Sequence, residues 1–336
     1  MQPSFDSLPG IRPTAEGHAM YERGRALVAA GLDPSHLVWD ADEVLWDWAL
    51  SGLRLVGGIP AAIFGRLGHR EYIAIRPGVI ELLWGLHHGA LEHGRDPHLR
   101  IWTSGYPWRL WRILREIQGF DALLGPPFAL ASDDDSIMHA HPRVFTRLDY
   151  VAVMSDLLDR ERRAERLAAL PELPRKTIAT QLEQPDDSGF KIPELALLAG
   201  KPAFSAARVL IDDVRRNVEW FNAAGRSAVH VVSTTPRIVF GKIRNSAWAP
   251  ERFLAESGDG ITAAIADALA KLAGNGHAPT IAIAARDAKA EQDERAAARA
   301  ERPAPPHIFA IDVPNDKIWR EWISPMRQLR KKARAV

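Results

Sequence analysis

The chain has 336 residues, of which 46% are hydrophobic and 25% charged, and its formal net charge is +1. Those figures suit a globular protein with one large domain, or a core domain with additions, and carry no whole-molecule signature of a polyanion binder. Cysteine is absent, which excludes disulfides, thiolate metal sites and cysteine nucleophiles.

The first ten residues are polar and lack a basic-then-apolar leader pattern. No window approaches the ~18 apolar residues of a membrane span, so a cytosolic location is expected. Residues 1–35 read as a helical lead-in, with a helix from about Thr14 to Ala30 stopped by Gly31 ahead of Asp33-Pro34. A short strand follows at Leu37–Trp39. Five glycines between 49 and 75 (Gly52, Gly57, Gly58, Gly65, Gly68) suit a hairpin or flap. Arg76-Pro77-Gly78 opens an apolar helix over Val79 to His87, where His87 and His88 would end it and complement its dipole. A second strand, Leu99 to Trp102, runs into Thr103-Ser104-Gly105, and Pro107 begins another helix reaching about Ile117.

Beyond it, Ala122 to Leu130 could include a strand, and 147–170 reads as one charged amphipathic helix. Together with the loop before it, 133–180 is expected to form a helical insertion. A helix from Pro193 to Ala199 follows Lys191. The clearest strand, Ala207 to Ile211, runs into Asp212-Asp213, and a helix over 215–224 leads to a strand at Ala228–Val232. Alternating strands and helices predict an α/β fold: a three-layer, Rossmann-like, mostly parallel sheet flanked by helices. The core would span 36–233, with a C-terminal extension over 234–336. In that extension 261–273 reads as an amphipathic helix, about 274–306 as partly flexible, and Ile308–Ile311 with Trp319, Trp322 and Ile323 as a patch that docks back.

Three strands end in polar residues of compatible chemistry. Asp40 and Asp42, spaced i, i+2, project to one side of the chain where the first strand ends. Two carboxylates that close disfavour double ionisation. They suit a bound cation, a shared proton or a nucleophile beside an acid, although a plain polar turn has the same appearance. Thr103-Ser104 and Asp212-Asp213 end the other two strands. If the strands are neighbours, four carboxylates crowd the crevice beyond the sheet, which requires a cation among them. All-oxygen ligation favours a hard divalent ion, most simply Mg2+.

Asp40-Ala41-Asp42-Glu43-Val44, Thr103-Ser104-Gly105, a lysine ahead of a helix and Asp212-Asp213, in that order, resemble the motifs of the haloacid dehalogenase (HAD) superfamily. Leu45-Trp46 and the Asp212, Asp213, Asn217 run look most like its small magnesium-dependent phosphatases. Ala41 and Val44 depart from the usual residues. The resemblance implies a phosphatase in which Asp40 attacks phosphorus to form an aspartyl-phosphate, and Asp42 acts as general acid and base. Thr103, with Ser104 and Gly105, would bind the phosphoryl oxygens. Asp40, the Asp42 backbone carbonyl and Asp212 or Asp213 would hold Mg2+. Lys191 or Lys201 would be the lysine, Lys191 leaving room for a helix before Asp212.

Phosphotransfer would share the same intermediate, and a non-catalytic scaffold whose C-terminal region docks a partner is the alternative of another class. An open site would admit a small molecule, a phosphorylated protein or a nucleic-acid end. Asp133-Asp134-Asp135 reads as a solvated loop before an extra metal site, and His139 with His141 as structural before metal-binding. Trp39, Trp46, Trp48, Trp108 and Trp111 read as core, with pocket walls the alternative for Trp46 and Trp48. The basic tail (Arg327, Arg330, Lys331, Lys332, Arg334) reads as a solvated terminus before a nucleic-acid or lipid contact.

Overall fold

Strand β1 (Leu37–Trp39) is only three residues long, yet all three side chains are buried. A strand covered on both faces is apolar throughout, not alternating, and this one reads Leu-Val-Trp. The computed structural model describes residues 4–11, 13–51, 55–56, 59–60, 69–126, 136–183, 185, 191–232, 260–275, 281–284 and 307–335.

Six strands form the main sheet: β1, β6 (Ile101–Trp102), β7 (Val144–Phe145), β8 (Val209–Asp212), β9 (Ser227–Val232) and β10 (Ile281–Ala284). Their order is β10-β9-β8-β1-β6-β7, and every adjacent pair is parallel. From β1 the chain builds outward through β6 and β7, then returns to the other side of β1 and builds outward again through β8, β9 and β10. The switch point therefore lies between β1 and β8.

Ten helices of six residues or more accompany the strands among the described residues. They are α1 (Ala15–Ala29), α2 (Val79–Glu92), α3 (Pro107–Arg115), α4 (Arg147–Leu157), α5 (Arg160–Ala168), α6 (Glu172–Glu183), α7 (Pro193–Leu198), α8 (Arg215–Ala223), α9 (Ile261–Asn275) and α10 (Ser324–Ala335). They divide between the two faces of the sheet, and successive strand residues follow that division. Leu37, Trp39, Ile101 and Ile211 face a cluster supplied by α1, α2, α3 and α9. Val38, Trp102 and Leu210 face a cluster supplied by α4 to α8 and α10. The architecture is a Rossmann-like α/β fold. Helices α1 and α2 cross closely because Gly24 and Gly85 meet there: a Cβ on Gly85 would lie 2.0 Å from the Tyr21 carbonyl oxygen.

A second, antiparallel sheet has the order β11-β5-β2, from β11 (His307–Val313), β5 (His69–Ile75) and β2 (Trp46–Ser51). The small strands β3 (Leu55–Val56) and β4 (Ile59–Pro60) pair within the β2–β5 connection. The C-terminal strand β11 thus extends the hairpin that leaves the first motif, and the patch at Ile308–Ile311 lies within it.

Several expected elements differ. The region 147–170 is broken into α4 and α5, and with α6 it covers one sheet face through Tyr150, Met154, Leu157, Leu167 and Ile178. The expected helical insertion over 133–180 is therefore in large part a layer of the core. Phe120–Leu124 is a short helix where a strand was expected from Ala122, and residues 127–135, including Asp133-Asp134-Asp135, lie outside the described residues. The stretch about 274–306 includes β10, which joins the main sheet, while 285–306 lies outside the described residues. Among the described residues no helix is long and apolar enough to cross a membrane.

Helix α2 continues past His87 to Glu92, and His87 and His88 are buried, not terminal cations. Burial, with His88 and His98 nearby, pushes His87 down to about 4. Burial likewise pushes His141 down to about 4. The Arg143 amide donates to His141 Nδ1 at 3.1 Å, so Nε2 carries the proton toward the Gly125 carbonyl at 3.1 Å. Both rings are neutral when folded and regain their ordinary basicity when unfolded. Stability is full above about pH 6.5 and falls as pH drops toward 4. Urea unfolding near neutrality and near pH 4 should differ by on the order of 3 kcal/mol for each histidine. Equal stability at the two pH values would contradict neutral burial.

Candidate functional site

In an open parallel sheet the crevice forms beyond the strand C-termini at the switch point. Here β1 and β8 flank that point in register, Trp39 opposite Ile211, and the Asp40 amide donates to the Ile211 carbonyl at 2.9 Å. The next residues are therefore neighbours: Asp40 follows β1, Asp212 ends β8 and Asp213 follows it. One carboxylate oxygen from each of the three lies within 4.8 Å of the others.

Lys191 bridges them. Its Nζ lies 2.7 Å from Asp40 Oδ2 and 2.6 Å from Asp212 Oδ2, and all three side chains are buried. Asp40 Oδ1 accepts the Ala41 amide at 2.7 Å. Asp212 Oδ1 accepts the Val214 amide at 2.7 Å and the Asn217 side chain at 3.3 Å. Burial disfavours the Lys191 charge, but Asp212 and Asp40 outweigh it and hold its pKa above the ordinary lysine value.

The carboxylates are less well compensated. Burial, opposed by Lys191 and reinforced by Asp212 and Asp213, holds Asp40 well above the ordinary carboxylate range. Burial, with Asp212 and Glu43 nearby, pushes Asp213 up to about 7. Asp40 in turn lowers Asp213 only in part, so burial still wins. One ammonium cannot neutralise three clustered carboxylates, of which Asp40 and Asp212 are buried and Asp213 half-buried. The donor set, all hard oxygen and closely spaced, suits a divalent cation such as Mg2+.

Asp42 does not join this cluster. A helical turn, with the Leu45 amide on the Ala41 carbonyl at 2.9 Å, carries the chain from β1 into β2, and Glu43 sits at φ 61° within it. The Asp42 carboxylate receives both oxygens' worth of Arg109: Nη1 lies 2.7 Å from Oδ1 and 2.9 Å from Oδ2. Trp46 Nε1 donates to Oδ1 at 2.9 Å. Arg109 Nε in turn donates to Glu71 Oε2 at 2.6 Å. Burial works against the Arg109 charge, and Asp42 and Glu71 overcome it, raising its pKa. A carboxylate from each side thus clamps a buried arginine, tying α3 to the first motif and to strand β5.

Thr103 is buried directly after β6, and its Oγ1 accepts the Gly105 amide at 2.9 Å. A Cβ on Gly105 would meet Thr103 Oγ1 at 3.0 Å and Asp42 Oδ2 at 3.9 Å, so Thr103 and Asp42 flank the same glycine. The Ser104 carbonyl accepts Arg147 Nε at 2.6 Å. The C-terminal segment closes behind this loop. Glu321 Oε2 accepts the Trp108 amide at 2.8 Å, satisfying a free N–H of the first turn of α3. Trp322 stacks on Tyr106 at 6.2 Å and lies under the Arg147 guanidinium at 4.7 Å.

Lys201, the other candidate lysine, is placed elsewhere. Its Nζ donates to the carbonyls of His139, His141 and Val144 and pairs with Asp149 at 3.0 Å. It plugs the base of β7 and touches none of the clustered aspartates. His139 pairs with Asp149 at 3.1 Å, and His141 is the buried neutral ring already described, so these two histidines are structural. Trp39 and Trp46 are buried, Trp46 also serving Asp42, while the Trp48 side chain lies outside the described residues. Arg109 and Glu71 were not expected from the sequence. Arg109 sits among apolar α3 positions and Glu71 lies on a hairpin strand, and neither belongs to a motif.

Removing Lys191 leaves Asp40 and Asp212 facing each other without a cation. Lys191→Met should cost about 3–5 kcal/mol in urea unfolding, and millimolar Mg2+ should recover part of that loss. A stability unchanged from wild type would show that the carboxylates do not depend on Lys191. Comparisons of the chain with protein-family models, with curated proteins and with solved structures return no match.

Proposed function

We propose that the protein is a Mg2+-dependent phosphatase of the HAD type that hydrolyses a phosphate monoester through an aspartyl-phosphate on Asp40. The observation that carries this reading is the buried Asp40–Lys191–Asp212 triangle with Asp213, assembled at the switch point where a parallel sheet binds its ligands. A structural ion pair needs one acid and one base. Three clustered acids around one lysine are a charge arrangement that a dication and a phosphoryl group complete.

A raised pKa opposes the ionised Asp40 that attack requires. Asp40, Asp213 or Asp212 and the Asp42 backbone carbonyl would hold Mg2+, which would supply the missing positive charge and screen the incoming phosphate. Lys191 steadies the Asp40 carboxylate for in-line attack. An Asp40 oxygen forms the bond to phosphorus while the bond to the leaving oxygen breaks, and Asp42, having parted from Arg109 and taken a proton from solvent, passes that proton to the leaving oxygen. Water then attacks the phosphorus, Asp42 takes its proton, and the carboxylate of Asp40 is restored with release of inorganic phosphate. Thr103 and the Ser104-Gly105 backbone bind the phosphoryl oxygens. Asp42 starts engaged with Arg109, so its proton-transfer role requires that it leave or loosen this contact when substrate enters.

Hydrolysis of p-nitrophenyl phosphate should require Mg2+ and should fall at least ~10³-fold in Asp40→Asn, the scale expected when a nucleophile is removed. Turnover without metal, or undiminished turnover in the variant, would sink this reading.

A further inference from the structure

Four of the five basic residues of the C-terminal helix α10 are sorted to one side of it, Lys332 being the exception. Met326 and Leu329 of α10 are buried against α4 and α6, with Trp322 and Ala333 packed on the same cluster. Arg327, Arg330, Lys331 and Arg334 fall at i, i+3, i+4 and i+7, which is one face of a helix. Arg327, Lys331 and Arg334 are exposed, and among the described residues none of the three has a carboxylate partner. No acid follows Glu321 in the chain. Trp319, just ahead of the helix, is 47% exposed, and the Arg327 guanidinium lies 5.7 Å from its ring centre.

The position of this face matters as much as its charge. The segment enters beside the Thr103–Gly105 loop, where Glu321 holds Trp108 and Trp322 stacks on Tyr106. It leaves along α4, where Lys332 Nζ reaches the Ser155 carbonyl. From Arg147, beside the loop, to Ser155 is about 12 Å of helix. The stripe therefore starts at the carboxyl end of the sheet and runs away from it.

We propose that Trp319 and the Arg327–Lys331–Arg334 stripe bind the backbone of a single-stranded nucleic acid whose terminal phosphate enters the Asp40 site. The position of that phosphate rests on the phosphatase reading. A row of cations beside an exposed aromatic ring pairs with phosphates while a base stacks on the ring. A small phosphate ester would not extend along such a row. A membrane is the poorer match, because an interfacial helix needs its apolar face outward, and Met326 and Leu329 face the core.

The test is fluorescence anisotropy of a labelled, terminally phosphorylated single-stranded oligonucleotide with the full-length protein in Mg2+. Wild type should bind, with an affinity that falls steeply with salt. The triple variant R327Q/K331Q/R334Q should lose at least about tenfold in affinity, and its log–log salt slope should drop by about 2. W319A should lose several-fold with an unchanged salt slope. A triple variant that melts like wild type and binds equally well overturns the inference. So does preferential binding to phosphatidylserine vesicles over the oligonucleotide. The two readings fail separately: stripe-dependent binding without phosphatase turnover would remove the catalytic reading and keep the surface. Turnover of p-nitrophenyl phosphate without stripe-dependent binding would do the reverse.

Discussion

Everything at the sheet's carboxyl end is arranged around one ammonium group between two buried carboxylates. Lys191 touches both Asp40 and Asp212, which come from adjacent strands on opposite sides of the switch point. Without it, two carboxylates would be buried side by side at a cost of several kcal/mol. With it, β1 and β8 can place their terminal aspartates in contact, and Asp213 adds a third. Burial first, and the neighbouring carboxylates after it, hold Asp40 and Asp213 above the ordinary carboxylate range. In the proposed chemistry Mg2+ would meet that imbalance of charge.

A second buried cation, Arg109, organises the other half. It joins Asp42 of the first motif to Glu71 of β5, and β5 is itself paired with β11 from the far end of the chain. The same C-terminal segment caps α3 through Glu321 and backs the Thr103 loop through Trp322. The region after residue 306 is thus built into the support of the site. Both the hairpin that carries Glu71 and the helix that carries Arg109 depend on it. It also brings the basic face of α10 alongside the loop where a phosphate would enter.

The sheet strands and their polar ends were legible because each is a short apolar run with an abrupt polar stop: Leu37–Trp39 before Asp40, Ile101-Trp102 before Thr103, Val209–Ile211 before Asp212. Such a break in pattern survives in a single sequence. The preference for Lys191 over Lys201 rested on room for a helix, and α7 with the 3-10 turn at Pro202–Ala206 fills that room. What was not legible depends on contacts between distant segments. Arg109 and Glu71 have no local signature, since a buried arginine looks like any helical arginine until its partners are seen. The single helix expected over 147–170 failed because charged residues dominate α5 and hide the break after Leu157. His87 and His88 read as a helix end because their burial comes from α1 and from neighbouring rings, which composition does not reveal.

The proposed chemistry requires Asp40 to become covalently phosphorylated, and that bond can be looked for directly. Protein mixed with Mg2+ and excess p-nitrophenyl phosphate, quenched in acid within a turnover and digested, should give a phosphate-mass adduct on the peptide containing Asp40. The adduct should be labile to hydroxylamine, as an acyl phosphate is, and absent from Asp40→Asn. Phosphate release with no adduct on that peptide, or an adduct that persists in the variant, would contradict the role assigned to Asp40.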